Sequence, residues 1–401
     1  MSPSLPTAAA SITAAVDAVE DELVELRRDV HAHPELAWEE TRTTALVAKR
    51  LEEAGLRVQQ LPRSGLVAET GPEDAGTTVA LRADLDALPV DDRVPDPWAS
   101  TVPGVAHACG HDVHVAALVG AGLALHTLHE RGGSLPGRVR LLFQPAEEVM
   151  PGGALDMIAA DVLDDVDRVF GLHCDPSLDV GRIGLRVGPL TGAADALKVR
   201  LTGRGGHTSR PHLTQDLTYA LATLVTQLPA AVSRRFDPRA GTSVVFGMIS
   251  AGAARNVIPA SGEAAGTVRM LDAVAWSEAE GLIGELVSQI VEPYGVQVEV
   301  DYVRGVPPVV NEPGSTALLG DAVEAVLGED AIVSTAQSLG GEDFAWFVES
   351  VPGAMARLGT RTPGGPTFDL HQGDLRVDDR AVGIGAKVLA QSAHQALLPK
   401  R

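Results

Sequence analysis

The sequence predicts an α/β protein in which a mixed, largely parallel sheet forms the main domain and a smaller domain is inserted into it. Apolar strand segments alternate with helical segments over residues 1–189, which is typical of a parallel sheet. Residues 190–305 then follow the order β-α-β-β-α-β, the arrangement of a ferredoxin-like domain. We therefore expect residues 1–189 and 306–401 to form one domain around this insert, and a chain of 401 residues is long enough for both.

Three buried strands are predicted in the first segment, at residues 77–84, 137–143 and 166–173, with helices at 114–130 and 153–163. Each strand runs directly into polar residues, which read "DLDALP", "QPAEE" and "HCD". Ligands of open α/β sheets bind at the carboxyl ends of the strands. These polar residues are therefore expected to share one site.

Composition excludes several classes of function. The net charge of −21 argues against nucleic acid, whose recognition needs a basic surface. The longest apolar run, residues 115–125, is too short to span a bilayer, and the first 30 residues lack the pattern of a signal peptide. Two cysteines cannot form a disulfide framework. We expect a cytoplasmic protein that binds neither nucleic acid nor membranes.

The segment "HACGHDVH", residues 107–114, concentrates side chains that can bind a metal. Cys109 and His111 are expected on a turn before a helix, and thiolate and imidazole suit zinc and other borderline metals. His173 of "GLHC" is expected at the end of the third strand, and His371 of "FDLHQGD" in a loop. These residues predict a metal site.

The adjacent Glu147 and Glu148 of "FQPAEE" follow the second strand. Neighbouring side chains in extended structure point to opposite sides, so one carboxylate can hold a metal while the other takes a proton from water. With the cysteine and histidines, a glutamate completes a set of five ligands, enough for two ions if a ligand or water bridges them. Asp86 is expected to orient a ligating histidine through its ring N–H. Asp84 is given no role.

A nucleophilic cysteine is the alternative chemistry for the same segment. Cys109 would be activated by His107 or His111. That interpretation leaves the two glutamates, His173 and His371 without a role. The metal interpretation uses all of them and is preferred.

Nine motifs in order along the chain resemble the M20 metallopeptidase family, specifically its N-acyl-amino-acid amidohydrolases, which include hippurate hydrolases and auxin-conjugate hydrolases. The motifs are "LRRDVHAHPELAWEETRT", "LRADLDALPV", "HACGHDVH", "LLFQPAEE", "FGLHC", "GRGGHTSRPH", "RNVIPASGEAAGTVR", "GGEDFAWF" and "DLHQGDLRVDD". Within the first motif, His33, Pro34 and Glu35 are interpreted as structural.

The resemblance implies a metal-dependent hydrolase that cleaves the amide bond of N-acyl amino acids into a carboxylic acid and a free amino acid. It implies two divalent ions, zinc or manganese, with cobalt or nickel also compatible. It assigns the role of general base to Glu147. The metal ligands that it implies are Cys109, His111, Glu148, His173 and His371.

The resemblance also implies that the inserted domain is a lid and mediates homodimer formation. His207 and Asn256 would bind the carboxylate of a small-molecule substrate and polarise the scissile carbonyl, and Arg269 would also contact the carboxylate. Two alternatives remain open from the sequence. One is a carboxypeptidase or dipeptidase with the same site, and the other is a catalytically silent homologue that binds metal or ligand.

Overall fold

The structure is a computed structural model that describes residues 7–131 and 135–399. The chain forms two compact units. The larger unit comprises the described residues through Gly188, Val310–Ala336, and those from Trp346 onward. The smaller unit comprises Pro189–Val309 and Gln337–Ala345.

Helices and strands alternate along the chain. The first elements are α1 (Ala8–Asp17), α2 (Glu20–Ala32), α3 (Thr41–Glu53), β1 (Arg57–Gln60), β2 (Leu66–Thr70), β3 (Thr78–Asp84), α4 (His111–Glu130), β4 (Arg138–Gln144), α5 (Gly153–Ala159), β5 (Arg168–Asp179), β6 (Ile183–Leu185) and β7 (Gly188–Pro189). The next are β8 (Ala193–Thr202), β9 (Gly206–His207), α6 (Leu217–Arg235), β10 (Ser243–Ala251), β11 (Val257–Ile258), β12 (Ser261–Met270), α7 (Ala273–Val291) and β13 (Gln297–Val306). The last are β14 (Val310–Asn311), α8 (Pro313–Leu327), β15 (Ile332–Ser334), α9 (Phe344–Ser350), β16 (Gly353–Arg361) and α10 (Arg380–Leu397).

The main sheet of the larger unit has eight strands in the order β1-β2-β4-β3-β5-β16-β6-β15. Its central strands β4, β3, β5 and β16 are parallel, whereas β1, β2 and β6 make antiparallel pairs. All seven residues of β3 are buried, as expected for a parallel strand covered on both faces. The mixed, largely parallel sheet is therefore confirmed.

Helices α4 and α10 pack on each other and against one face of this sheet. Helix α4 is buried on nearly all sides, which explains why its sequence is apolar without a polar stripe. The core on this face includes Phe170 and Leu172 of β5 and Ala356 and Leu358 of β16. Because side chains alternate along a strand, His173 and Arg357 lie on the opposite face.

The smaller unit has a four-stranded sheet in the order β10-β12-β8-β13. All of its pairs are antiparallel, and α6 packs on α7. In β8 the residues Leu197, Val199 and Leu201 are buried and alternate with more exposed residues, because only one face of the sheet is covered. The predicted ferredoxin-like order is confirmed.

Two of the predicted boundaries that differ from the structure lie next to the candidate ligands. Helix α4 begins at His111, three residues before its expected start, because Gly110 provides the turn that leads into it. Strand β5 continues to Asp179, because β16 pairs with it beyond His173. His173 therefore lies within a strand rather than at its end. Among the described residues no helix combines the length and apolar character needed to cross a membrane.

Candidate metal centre

The structure brings all five predicted ligands together. The ligand atoms of Cys109, His111 and His173 lie within 4.8 Å of one another. The ligand atoms of Cys109, Glu148 and His371 form a second group, also within 4.8 Å of one another. Paired metal ions in hydrolases lie about 3.5–4 Å apart, close enough for one ligand to bridge them. Because the two groups share Cys109, its thiolate is placed to bridge two such ions.

Gly110 makes this clustering possible at the junction between the loop and α4. Its φ of 86° lies in the left-handed region, which favours glycine. A Cβ at this position would lie 2.9 Å from Sγ of Cys174. Both the backbone conformation and the available space therefore require glycine between Cys109 and His111.

His111 is held in one orientation by a hydrogen bond. Its Nδ1 donates to the backbone carbonyl of Asp86 at 2.8 Å. Its Nε2 is buried and has no hydrogen-bond partner among the described residues. Burial lowers the pKa of His111, but the neighbouring Asp84 and Cys109 outweigh that effect and raise it. A buried ring nitrogen without a protein partner, beside thiol and carboxylate groups, fits a metal ligand.

His173 is oriented in the same way from β5. Its Nδ1 donates to the carbonyl of Cys174 at 2.8 Å, and its Nε2 lies 3.6 Å from Sγ of Cys109. Burial, and next the positive charge of Arg357 on the adjacent strand, lower the pKa of His173 well below its usual range. Both effects keep the imidazole neutral, which is the form that binds a metal.

His371 approaches the centre from a loop near the end of the chain. Its backbone has a φ of 62°, and its N–H donates to the carbonyl of Ala108 at 2.7 Å. Its Nε2 lies 3.4 Å from Oε1 of Glu148. The side chain of His371 is 55% exposed, so it marks the solvent-facing side of the ligand cluster.

Asp86 fixes the backbone of the glutamate pair. Its carboxylate accepts the N–H groups of Glu147 and Glu148, both at 2.9 Å. Asp86 contacts His111 as expected, but the close acceptor is its backbone carbonyl, and the carboxylate lies 3.6 Å from the ring nitrogen. Burial raises the pKa of Glu148, and its Oε1 has no hydrogen-bond partner among the described residues.

Asp84 and His114 form a buried pair that sequence reasoning missed. His114 Nδ1 lies 2.5 Å from a carboxylate oxygen of Asp84, and its Nε2 accepts the N–H of Cys174 at 2.9 Å. Arg82 also binds Asp84, at 2.6 Å, and despite burial these neighbours hold the pKa of Asp84 well below its usual range. Because both ring nitrogens of His114 are engaged, this residue positions β5 rather than offering a ligand.

The electrostatic surroundings of Cys109 do not favour a nucleophilic cysteine. Burial raises the pKa of Cys109, and His111 offsets this only in part. A nucleophilic cysteine needs a lowered pKa. Burial also lowers the pKa of His107 to about 3, so His107 is not a cation that could stabilise a thiolate. A divalent cation bound to the thiol would deprotonate it outright.

Within the smaller unit, His207 and Asn256 are neighbours. His207 in β9 pairs with Val257 in β11, and the carbonyl of Asn256 accepts the N–H of Thr208 at 3.2 Å. Both residues are exposed. Arg269 lies on β12, and its guanidinium donates to the carbonyl of Leu339. The structure thus brings two of the three predicted substrate contacts together.

Comparison with known proteins identifies close relatives. The chain is 48% identical over 384 residues to a Rhodococcus jostii protein named as a glutamate–cysteine ligase, and the match covers 96% of this chain. It spans only 48% of that relative's length. The N-acetyl-L-cysteine deacetylase of Bacillus subtilis is 36% identical over 380 residues, 94% of this chain and 89% of the relative.

A solved structure and a family model agree with these matches. The structure of a Bacillus subtilis protein, described as a dinuclear metal-binding peptidase of the M20 family, is 32% identical, with a TM-score of 0.83. The match covers 95% of this chain and 99% of that one. The model of peptidase family M20/M25/M40 matches residues 80–395. The chain therefore belongs to peptidase family M20, as its motifs predicted, and is a hydrolytic enzyme.

Proposed function

We propose that this enzyme hydrolyses the amide bond of N-acyl amino acids with two divalent metal ions. The observation that carries the proposal is the pair of donor groups that share Cys109, next to a glutamate pair fixed by Asp86. The names of the relatives support it, since one is an N-acetyl-L-cysteine deacetylase and another a dinuclear metal-binding peptidase.

The donor set of the site fits two ions. Cys109 would be common to both, with His111 and His173 completing one site and Glu148 and His371 the other. Thiolate and imidazole favour zinc, and the carboxylate also permits manganese or, less commonly, cobalt or nickel. When bound, such ions lower the pKa of water and polarise the amide carbonyl.

The protein's own residues then carry the proton and hold the substrate. Glu148 is the carboxylate that binds metal, and this leaves the adjacent Glu147 as the proton acceptor. Glu147 takes a proton from the attacking water and delivers it to the leaving amine. His207 and Asn256 hold the substrate's carboxylate and polarise its carbonyl, and Arg269 is a further carboxylate contact.

The domain boundaries and the assembly are also proposals. Residues 190–305 would form a lid that also joins two copies of the chain. Strand β10 supports this, since it lies at the edge of its sheet and exposes Val245, Met248 and Ile249. Two unpaired, buried cysteines fit a protein of the reducing cytoplasm.

The proposal is tested by a substrate screen on protein that has been stripped of metal and then given zinc or manganese. The screen compares N-acetyl, N-benzoyl and long-chain N-acyl amino acids with dipeptides and longer peptides. We expect metal-dependent cleavage of the N-acyl amino acids. Preferred cleavage of the peptides would instead assign carboxypeptidase or dipeptidase activity to the same site.

A further inference from the structure

The turn that carries the glutamate pair contains a residue in an unfavourable backbone conformation. Ala146, directly before Glu147, has a φ of 54° and is fully buried. Left-handed backbone is disfavoured for every residue with a Cβ, so Ala146 needs outside contacts to stay there. Strain of this kind is common next to reacting groups.

Tight packing surrounds this turn. A Cβ at Gly65 would lie 2.6 Å from Cδ of Pro145, and a Cβ at Gly153 would lie 2.0 Å from the carbonyl oxygen of Pro145. The N–H of Gly153 also donates to the carbonyl of Ala146 at 3.0 Å. The carbonyl side of the turn is thus held by the backbone that follows it.

The N–H side of Ala146 is held by a distant side chain. Glu40, the residue before α3, is fully buried, and its Oε1 accepts the N–H of Ala146 at 2.7 Å. Its Oε2 accepts the hydroxyl of Ser64 at 2.6 Å. Hydrogen bonds to a carboxylate are stronger than those between neutral groups. Burial of a carboxylate costs free energy, so a carboxylate at this point must make a compensating contribution.

Glu40 and Asp86 together bind three consecutive amides. Asp86 accepts from Glu147 and Glu148, and Glu40 accepts from Ala146. The Asp86 contacts act on the glutamates themselves. The Glu40 contact acts one residue earlier, at the strained Ala146. The backbone conformation of Ala146 sets the direction of the chain as it reaches Glu147 and Glu148.

We propose that Glu40 is a positioning residue for the hydrolytic reaction, acting by holding Ala146 in the left-handed conformation that places Glu147. This inference rests on the proposed role of Glu147 as the general base. It gives a task to the last residue of the "HPELAWEE" segment, of which only His33, Pro34 and Glu35 were predicted to be structural.

The test measures kcat, KM and bound metal in variants at two positions. Glu40→Ala removes both acceptors, and we expect kcat to fall about tenfold or more, since small misplacements of reacting groups are costly. KM and metal content should stay near wild type. Glu40→Gln keeps one acceptor for Ala146 and should retain most of the turnover. Glu40→Met fills the buried volume without an acceptor and should lose turnover like Glu40→Ala. It takes the place of Glu40→Ala in the test if the alanine variant does not fold.

Glycine at position 146 separates positioning from general stability. Glycine enters the left-handed region without steric cost, so Ala146→Gly should restore part of the turnover lost in Glu40→Ala. Amide hydrogen exchange in the metal-free protein gives a second readout, because the N–H of Ala146 should exchange faster in Glu40→Met than in wild type.

Glu39→Ala is the matched control, because it removes the same charge from the adjacent, exposed residue. Wild-type kcat in both Glu40→Ala and Glu40→Met would overturn the inference, as would an equal loss in Glu39→Ala or a failure of glycine at 146 to restore turnover. If Glu147→Gln keeps full activity, the proposed function fails instead. An inactive Glu147→Gln with fully active Glu40 variants would refute only the role of Glu40.

Discussion

Glu147 and Glu148 are adjacent in sequence, and the structure binds their amides to the same carboxylate, Asp86. Their side chains share one donor group with His111 but differ in a second group. Glu148 lies in the donor group with Cys109 and His371, and its Oε1 is a buried atom without a hydrogen-bond partner among the described residues. This difference supports one ligand and one base.

Substitution of each glutamate by glutamine separates the two roles. Glu147→Gln removes the proton acceptor and keeps the shape, so turnover should fall by ~10²–10⁴-fold while bound metal stays near wild type. Glu148→Gln should lose bound metal first. Steady-state kinetics and metal analysis of both variants check this. Wild-type turnover in Glu147→Gln would contradict the hydrolytic mechanism.

The clustering of the candidate ligands could be predicted from the sequence, but the contacts that orient them could not. Cysteine, histidine and paired glutamates after buried strands indicate a metal site by residue type alone. The pairing of Asp84 with His114 depends on how β3 and α4 pack, and the residues are 30 positions apart. The buried Arg357 meets His173 only through the register of β16 on β5.

At the level of elements, the sequence predicted where three central strands of the larger unit lie, β3, β4 and β5, but not where α4 begins. Near-continuous apolar segments mark these strands well because burial of both faces requires them. The start of α4 depends on the left-handed backbone of Gly110, a property that glycine permits but does not require. The junction between loop and helix is therefore the least predictable part of the site.

Gly110→Ala tests whether that junction determines the metal centre. The left-handed backbone costs a residue with a Cβ about 1–2 kcal/mol, and the contact with Cys174 adds to it, so the free energy of unfolding should fall by at least that amount. Metal affinity should fall as well. Gly284→Ala in α7 is the control, because its Cβ would meet nothing within 4 Å and should stabilise by about 0.5–1 kcal/mol. Equal metal affinity in Gly110→Ala and wild type would show that the junction is dispensable.

Glu312 links the start of α8 to the start of β5. Its carboxylate accepts the N–H groups of Gly314 and Ser315 and binds Arg168 at 2.8 Å. Partial burial raises the pKa of Glu312, but these hydrogen bonds outweigh it and lower the pKa to about 2, from 4.5 for an unperturbed glutamate. The carboxylate therefore stabilises the fold when charged.

Glu312→Ala should lower the free energy of unfolding by about 1 kcal/mol at neutral pH, as the loss of a helix cap does. Because the pKa is lowered in the folded state, the contribution is complete above pH 4.5 and disappears as the pH falls through about 2. Urea unfolding at pH 7 and pH 3 should thus show a smaller difference from wild type at the lower pH. Glu324→Ala, an exposed position on the same helix, should show no such dependence.

At the scale of the whole molecule, the candidate ligands come from four separate regions of the chain. Residues 109–111 precede and begin α4, Glu148 follows β4, His173 lies in β5, and His371 lies in a loop before α10. Two ions bound by these residues would join segments that only the folded larger unit brings together. Metal binding should therefore be coupled to the stability of that unit.

Chelation should abolish activity reversibly and lower the thermal midpoint of unfolding, since an ion at 100 times its Kd stabilises the folded state by about 2.7 kcal/mol. Cys109→Ser should lose most of the rise in midpoint on adding metal, because a hydroxyl is a poorer ligand than a thiolate and Cys109 belongs to both donor groups. Cys174→Ala and His207→Ala are the controls, because neither residue belongs to those two groups. In both variants the added metal should raise the thermal midpoint of unfolding as much as in wild type. Calorimetric scans with and without zinc or manganese check this, and a full rise in Cys109→Ser would exclude the thiolate as a shared ligand.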